Sequence, residues 1–362
     1  MGRNIIWSCM DRKLRGDSAI RLVYYELIWQ LDSKLHLIPD IVRLTGCYGL
    51  LNSSNPLVKH SLPHSYTLYY ILVIPCDGNL LVAAVAWAAL PTVSANPIPE
   101  AVSQLVETYA QLFKNGQRSP ILRRPSEYGH GYKDIFLPWL DGTILQGWFI
   151  PAANSKKLII ANHPMTCNRY GYPGHLEGYG GLGDSQVNFL PDYKALHDAG
   201  FHIICYDLRN HSISDQGSGA VCGALGCYEA RDVVGSFQYA RSHPETRDNS
   251  NGLLSRCMGS NSTIHAMAHF PKYFTDIQAL ILLQAVSGHA FVEKGAINAN
   301  LDVATTVQAF DKRIHELTGF RLKELSLVPL AKNVSVPTLF VQVRKNALID
   351  TKDSQEIFNA LV

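Results

Sequence analysis

The segment NGLLSRCMGSNST, residues Asn251–Thr263, is the stretch that most directly predicts the fold. It begins with a short apolar strand, passes through a tight turn of small residues and continues into a sequence that can form a helix. Its residues 255–259 (SRCMG) occupy the five positions of a G-x-S-x-G turn, in which a nucleophile stands between a strand and a helix. The segment therefore predicts a nucleophile elbow with Cys257 at its centre.

Cysteine is chemically reasonable at the centre of such a turn. Gly259 supplies one of the small neighbours that a tight elbow needs, and Ser255 is a tolerable substitute for the other glycine. The start of a helix favours an anion, so we expect the helix dipole to lower the pKa of the Cys257 thiol. The other interpretation is a cysteine buried as a small apolar residue. The strand–turn–helix context favours the nucleophile.

Short apolar strands alternate with amphipathic helices on both sides of this turn. Strands are predicted at Lys157–Ala161, Phe201–Tyr206, Gly252–Ser255, Ala279–Ala285 and Pro337–Val343, and helices at Asp184–Ala199, Gly226–Arg241, Met258–His269 and Lys352–Leu361. Continuous β-branched and leucine runs between helices indicate a parallel sheet covered on both faces. The predicted fold class is therefore α/β, with a mostly parallel, doubly wound sheet.

Two further features bound this domain. A helical stripe over Pro99–Asn115 and a strand pair, Lys133–Trp139 and Leu145–Ile150, precede the alternating region. Residues 287–336 separate the last two strands and are mostly helical in pattern, and so long a connection is typical of a lid. We therefore predict a domain over residues 93–362 with a helical lid at about 287–336.

Residues 1–92 lack a sustained helical or strand period and predict a poorly defined N-terminal extension. Within them, the apolar runs Leu68–Pro75 and Asn79–Leu90 flank a Cys-Asp-Gly turn. Each run is shorter than the roughly 20 residues that span a bilayer, so no stable membrane span is expected. Two interpretations remain, a hairpin of the folded protein and a segment that does not belong to the genuine domain.

Composition excludes several function classes. The 362 residues are 47% hydrophobic and carry a formal net charge of +2, with no cluster of Lys and Arg, so nucleic acid is not an expected partner. The eight cysteines form no C-x-x-C pair, and the N-terminus lacks a secretory apolar stretch. We expect reduced thiols in a cytoplasmic protein. The His and Cys spacings match no zinc pattern, so no metal and no cofactor are predicted, and the sequence does not indicate the oligomeric state.

The loop after the strand Lys157–Ala161 predicts an oxyanion site. Acyl transfer needs two backbone N–H groups directed at the developing oxyanion, one from this loop and one from the residue after the nucleophile. Pro164 has no N–H, so the expected donors are Met165 and Met258. His163 has two interpretations, a residue of this oxyanion and substrate-binding loop or a histidine that only bonds to backbone.

The loop DLRNHSIS, which begins at Asp207 after the next strand, resembles a D-x-R-G-x-G-x-S loop. In that motif the Asp and Arg side chains brace neighbouring loops. We interpret Asp207 and Arg209 as structural, and we expect His211 and Ser214 to face water or the rim of the site.

An acid and a base should follow the nucleophile in chain order. The position after the strand Pro337–Val343 holds Asn346, which can orient an imidazole, and Asp350 is the fallback. The base should follow an eighth strand, but the sequence ends soon after the predicted helix, which predicts a missing last strand and a C-terminally truncated domain. The upstream histidines are expected to be surface or core residues: His163, His211, His265, His269 and His289.

Four segments together resemble one family: NHPMTCNRYGYPGH, YDLRNHSIS, GLLSRCMGSNST and VPTLFVQVRKN. They resemble α/β-hydrolases of fungal secondary-metabolite clusters, including hydrolases of host-selective toxin biosynthesis and polyketide transferase-like relatives. The resemblance implies hydrolysis or acyl transfer on an ester or thioester of a polyketide- or fatty-acid-derived intermediate. It places Cys257 at the nucleophile position and Asn346 at the acid position. Some members carry a peroxisomal S-K-L-type ending, whereas this sequence ends Asn-Ala-Leu-Val.

Two alternatives stay open beside an enzyme with a small-molecule acyl substrate. One is a catalytically inactive or truncated protein of the same fold, because no histidine stands at the position of the base. The other is a lyase or cyclase that forms no covalent intermediate, which would need an acid–base pair that the sequence does not reveal.

Overall fold

The computed structural model describes residues 98–115, 118–139, 141–180, 186–217, 225–344 and 346–361, and the backbone of three earlier strands. These are β1 (Ile5–Met10), β2 (Leu72–Cys76) and β3 (Asn79–Ala83). The chain divides into two compact units, Leu37–Pro97 and the remainder. In the smaller unit, β2 and β3 pair antiparallel, as in the hairpin interpretation of this stretch.

The larger unit alternates strands with helices. Its further strands are β4 (Lys133–Pro138), β5 (Ile144–Ile150), β6 (Lys157–Asn162), β7 (Gly171–Pro173), β8 (Gln186–Asn188), β9 (His202–Tyr206), β10 (Ser250–Arg256), β11 (Ile277–Leu283) and β12 (Thr338–Val343). Its helices are α1 (Glu100–Asn115), α2 (Leu190–Asp198), α3 (Ala230–Ser242), α4 (Met258–His269), α5 (Gly288–Asn298), α6 (Val303–Thr318), α7 (Val328–Ala331) and α8 (Thr351–Ala360).

The main sheet has the order β1-β12-β11-β10-β6-β9-β5-β4. The pairs β4/β5 and β5/β9 are antiparallel, and the other neighbours are parallel. The predicted α/β class with a mostly parallel sheet is confirmed. In chain order no described strand follows β12, and β1 lies parallel to β12 with Ile5 opposite Thr338. A strand from the predicted N-terminal extension therefore occupies the sheet position beyond β12.

Helices cover both faces of the sheet, which explains the uninterrupted apolar strands. Alternate side chains of a strand point to opposite faces. On one face, Leu158 and Ile160 of β6 belong to the same core as Phe237 of α3. On the other face, Ile159 belongs to a second core with Tyr193 of α2. Both faces of the sheet are therefore covered by helices. A ligand can reach the sheet only at the ends of its strands.

Two predicted helices begin later than the sequence pattern indicated. The predicted start of α2 at Asp184 is wrong, because β8 precedes the helix and the Asn188 side chain accepts a hydrogen bond from the Leu190 N–H at 3.0 Å. The predicted start of α3 at Gly226 is also wrong. Gly226 has φ of +115°, and its N–H donates to the Glu229 carboxylate at 3.0 Å, so these residues form a turn before the helix.

In the stretch between β11 and β12, α5 and α6 form a helical layer that packs with α1, whereas α7 packs against α4 and α8. Phe113 of α1, Val292 of α5 and Phe310 of α6 lie in one apolar cluster. At its surface, Arg313 donates to Glu107 at 2.6 Å, and this hydrogen bond lowers the pKa of Glu107 to about 2. Apolar packing is the main contribution to the layer, because exposed ion pairs contribute little.

Within the described ranges, no helix has both the length and the apolar character needed to cross a bilayer.

The start of α4 lies against the end of β6 through backbone atoms. A Cβ atom at Gly259 would stand 2.8 Å from the carbonyl carbon and oxygen of Asn162 and 2.8 Å from the oxygen of His163. Real Cβ atoms do not approach backbone that closely, so this position requires glycine. The contact fixes the distance between the elbow helix and the loop that follows β6.

Gly259→Ala is expected to destabilise the fold by about 1–3 kcal/mol, because backbone atoms cannot move aside as a flexible side chain can. Gly131→Ala is the matched control, since a Cβ there meets no atom within 4 Å. Thermal unfolding of both variants measures the difference. Equal melting temperatures for the two variants would contradict the close approach.

Candidate active site

Cys257 stands alone between β10 and α4 with φ of +50° and ψ of −114°. This backbone conformation is rarely populated by a residue with a side chain and costs on the order of 1–3 kcal/mol. Two backbone hydrogen bonds hold it: the Cys257 N–H donates to Leu283 O at 2.7 Å, and the Asn261 N–H donates to Cys257 O at 3.0 Å. The strand, strained turn and helix have the form of a nucleophile elbow.

Ser255 does more than replace a glycine. It is fully buried, and its hydroxyl accepts a hydrogen bond from the Asn162 side-chain amide at 2.9 Å and pairs with the Thr263 hydroxyl at 2.8 Å. The Tyr206 hydroxyl donates to the Asn162 side chain at 2.6 Å. These bonds connect β10 to β6, α4 and β9. They therefore hold the end of β10, two residues before Cys257, in place.

Two other residues that hold the elbow were given no role in the sequence analysis. The buried Asn261 donates to Leu225 O at 3.0 Å and to Val286 O at 2.8 Å, which ties the elbow helix to two loops. Arg256, directly before Cys257, donates to Asp192 at 2.8 Å. Both contacts join residues far apart in the chain, and the only sequence signal was their position within or beside the elbow motif.

The thiol of Cys257 lies in apolar surroundings. Val286, Ala290 and Ile349 form a small buried cluster, and Cys257 and Phe291 pack against it. Burial raises the pKa of Cys257 to about 11, although the Met258 N–H acts in the opposite direction. The expected lowering of this pKa is therefore wrong, because loss of hydration outweighs the helix dipole at this position.

The two predicted oxyanion donors, Met165 and Met258, follow neighbouring strands, the first in the loop after β6 and the second at the start of α4. Asn162, at the end of β6, pairs with Ser255 of β10, so the loop that contains Met165 begins beside the elbow. The Met165 N–H has no hydrogen-bond partner among the residues that the structure describes. A hydrogen bond from the Met258 N–H to the Cys257 sulfur favours the thiolate. Two backbone donors thus belong to the loops at this end of the sheet.

His163 is held entirely by backbone groups. Its Nε2 accepts a hydrogen bond from the Leu208 N–H at 2.9 Å, so the ring proton is on Nδ1, which donates to Pro164 O at 2.8 Å. Burial, together with the neighbouring His211, holds the pKa of His163 well below its usual value. His163 is therefore a neutral brace between the β6 and β9 loops, and neither ring nitrogen is free for a substrate.

The predicted acid positions lie in the loop after β12. The Asn346 side chain donates to Gln284 at 2.9 Å and accepts from the Leu348 N–H at 2.8 Å. Asp350 caps α8 by accepting from the Lys352 N–H at 2.9 Å. Only apolar Ile349, between the two, reaches the cluster beside the thiol. Within the described residues, neither predicted acid forms a hydrogen bond with Cys257.

Asp350 and His289 share the lining of an open pocket of about 760 Å³ beside α5 and α8. Cys257 is not a lining residue of that pocket. The His289 side chain is 53% exposed and lies 3.8 Å from Glu293 on its own helix. Ala290, which lies in the apolar cluster beside Cys257, lines the same pocket.

Asp207 and Arg209 brace loops as the sequence predicted. Asp207 accepts from the Arg169 N–H at 2.8 Å, and the Arg209 guanidinium donates to the buried Asp232 of α3 at 2.8 Å. Buried charges in proteins are retained where they are paired in this way.

The expectation that His211 and Ser214 face water or the rim is wrong, because each is only 1% exposed. The Ser214 hydroxyl donates to Asp207 O at 2.7 Å. The His211 ring lies 5.0 Å from the His163 ring, and burial lowers the pKa of His211 to about 4. Both residues close the interior of the β9 loop.

A cysteine–histidine contact exists, but it involves a different cysteine. Nε2 of His265 lies 3.5 Å from Sγ of Cys227. Burial raises the pKa of the Cys227 thiol and lowers the pKa of His265 to about 4, so both groups are neutral. Within the described part of the chain, no imidazole forms a hydrogen bond with Cys257.

No protein-family model matches the chain, and no curated protein matches it.

Solved structures do resemble it. An esterase from Pyrococcus furiosus aligns with a TM-score of 0.51 and 18% identity over 68% of this chain and 84% of its own. The α/β hydrolase GrgF from Penicillium sp. sh18 aligns with a TM-score of 0.43 and 15% identity over 64% of this chain and 86% of its own. An acylaminoacyl peptidase from Pyrococcus horikoshii aligns with a TM-score of 0.44 and 18% identity over 64% of this chain and 34% of its own. The strand order, the elbow and the likeness to the first of these structures establish that the chain has the α/β-hydrolase fold.

Proposed function

We propose that the protein is a hydrolase or acyltransferase that acts on an ester or thioester through a covalent acyl intermediate on Cys257. The observation that carries this proposal is the backbone of Cys257, with φ of +50° and ψ of −114° between a strand and a helix. Strain of this kind persists where the surroundings enforce it, and it is concentrated at functional sites. Here the hydrogen bonds of Ser255, Asn261 and the Cys257 N–H enforce it.

The chemistry follows the geometry of the elbow. The Cys257 thiolate attacks the acyl carbonyl carbon, and the carbonyl oxygen becomes an oxyanion that accepts hydrogen bonds from the N–H groups of Met258 and Met165. When the tetrahedral intermediate collapses, the alcohol or thiol leaves and takes a proton, and the acyl group stays on sulfur. Water releases it as an acid in hydrolysis, whereas an acceptor alcohol, amine or thiol takes it in acyl transfer.

The surroundings of the thiol suggest the class of acyl group. Val286, Ala290, Phe291 and Ile349 offer hydrocarbon rather than hydrogen-bonding groups beside Cys257. Such a site favours an apolar chain, in keeping with a polyketide- or fatty-acid-derived substrate of secondary metabolism. We assign residues 287–336 as the lid over this chain, because α5 contributes two of these neighbours. A free reactive thiol suits the reducing cytoplasm.

Asn346 retains the acid position in this proposal, at the end of β12 and bonded to Gln284. The thiol ionises without a neighbouring imidazole, so acylation is slow at neutral pH. A second candidate, an α/β-hydrolase-fold protein that binds acyl compounds without turnover, is favoured by the same raised pKa of Cys257. The two candidates differ in whether an acyl group is transferred to sulfur.

Cys257→Ala is expected to lower kcat/KM for acyl thioesters and p-nitrophenyl esters by at least about 100-fold, because the variant cannot form the covalent intermediate. Cys227→Ala removes another partly exposed thiol and should leave turnover unchanged. Steady-state rates of both variants with short and long acyl chains provide the measurement. Equal turnover by the Cys257 variant and the unmodified protein would exclude the proposed nucleophile.

The acylation rate is expected to rise about tenfold per pH unit from neutral pH to about pH 10, because only the thiolate reacts. Burial raises the pKa of Cys257 to about 11, so the thiolate fraction is small throughout this range and increases steadily with pH. Stopped-flow release of p-nitrophenol before the steady state follows this step. A plateau that begins below pH 8 would show a lowered thiol pKa and contradict the apolar environment described above.

A further inference from the structure

Three side chains meet at the end of the sheet opposite to the elbow. His130 precedes β4, and His197 and Asp198 end α2, shortly before β9 begins. One donor atom from each, two imidazole nitrogens and one carboxylate oxygen, lie within 4.8 Å of one another. Cys257 follows the carboxyl end of β10, which runs parallel to β6 and β9, so this cluster is separate from the candidate active site.

Both imidazole nitrogens in the cluster lack partners. Nε2 of His130 and Nδ1 of His197 are buried and have no hydrogen bond to any residue that the structure describes. The His130 side chain is only 8% exposed. Each nitrogen lies 3.8 Å from Oδ1 of Asp198, which is too far for a hydrogen bond. Because buried polar groups are nearly always paired, two unpaired nitrogens directed at one carboxylate indicate a missing ligand.

The hydrogen bonds around the cluster leave suitable lone pairs. Nε2 of His197 lies 2.9 Å from Pro151 O, and a carbonyl can only accept, so Nε2 carries the proton and Nδ1 presents its lone pair to the cluster. A metal-binding histidine usually donates a hydrogen bond from its other ring nitrogen to a backbone carbonyl or a carboxylate, which fixes the ring. Nε2 of His130 is likewise buried without a hydrogen-bond partner and lies 3.8 Å from the same carboxylate oxygen.

The carboxylate is also ready to bind a cation. Lys194 donates to Oδ2 of Asp198 at 2.8 Å, and this bond lowers the pKa of Asp198. Asp198 is therefore ionised at neutral pH, and its Oδ1 remains directed at the two histidines. The positive charge of Lys194 repels a second cation nearby. However, the ammonium is bonded to Oδ2 of Asp198, the oxygen that faces away from the two histidines.

We propose that Nε2 of His130, Nδ1 of His197 and Oδ1 of Asp198 bind one divalent transition-metal ion of the zinc type, with water as the fourth ligand. Two imidazoles and one carboxylate favour Zn²⁺ or Co²⁺ over Mg²⁺ and Ca²⁺, which prefer oxygen ligands. Metal–nitrogen distances of about 2.0–2.1 Å place tetrahedral donors about 3.3 Å apart. The nitrogen–oxygen distances of 3.8 Å require a closure of about half an ångström, and the two nitrogens, which lie within 4.8 Å of each other, require a closure of up to about 1.5 Å through side-chain rotation.

The ion would fasten the loop before β4 to the end of α2. The segment before β4 already contacts the residues that precede α2, where the Asn188 side chain donates to the Tyr128 hydroxyl at 2.6 Å. The metal therefore has a structural role, and its binding is independent of chemistry at Cys257.

Titration of the full chain with Co²⁺ and with Zn²⁺ tests the site. We expect one equivalent of Co²⁺ to bind with visible d–d absorption and without sulfur-to-cobalt charge transfer, and Zn²⁺ to displace it. Asp198→Asn and His197→Gln should weaken binding by at least about tenfold. His175→Gln, at an exposed histidine outside the cluster, is the matched control and should bind as the unmodified protein does.

Thermal unfolding gives a second readout. Zn²⁺ should raise the melting temperature of the unmodified protein and of the control but not of the two cluster variants. Asp198 is 52% exposed at its side chain, so its substitution leaves the core intact. Absence of saturable binding, equal affinity in the cluster variants, or a thiolate-type cobalt spectrum would each overturn the proposal.

Discussion

The candidate site depends on one backbone contact, between the start of α4 and the end of β6. A side chain at Gly259 would collide with the carbonyl groups of Asn162 and His163 at 2.8 Å, so the two elements touch without side chains between them. This approach places the Met165 loop beside the elbow and leaves Cys257 at a positive φ. The proposed nucleophile and the proposed oxyanion donors therefore share a single constraint, which the hydrogen bonds of the buried Asn162 side chain reinforce.

The electrostatics of the site are decided by what surrounds the thiol rather than by the helix beneath it. The start of a helix stabilises an anion by about 0.3–1 kcal/mol at exposed positions, whereas full loss of hydration costs several times more. At Cys257 hydration loss is the larger effect, and the pKa rises to about 11. Charges elsewhere near this edge are paired instead, as Arg209 is with Asp232. The site accordingly presents an apolar surface and a thiol that ionises only in alkali.

Local patterns in the sequence predicted the fold well, because the apolar periodicity of a strand or of an amphipathic helix lies within a single continuous stretch of residues. The elbow was also visible, since its strand, turn and helix are contiguous. The predicted starts of two helices were wrong because of local hydrogen bonds. Asn188 and Gly226 form bonds that hold non-helical turns before the helices begin. The pKa of Cys257 could not be predicted, because the residues that bury it come from the loop after β11, from α5 and from the loop after β12. For the same reason, nothing in the sequence joined His130 to the end of α2.

The most direct test of the central claim is mass spectrometry of the protein quenched shortly after mixing with a p-nitrophenyl ester at alkaline pH. Peptide mapping locates any acyl group among the eight cysteines and the other nucleophiles of the chain. We predict a single acyl group on Cys257, formed before steady-state turnover and removed by hydroxylamine. A protein that turns over ester with no acyl group on Cys257, or with the group on another residue, would contradict it.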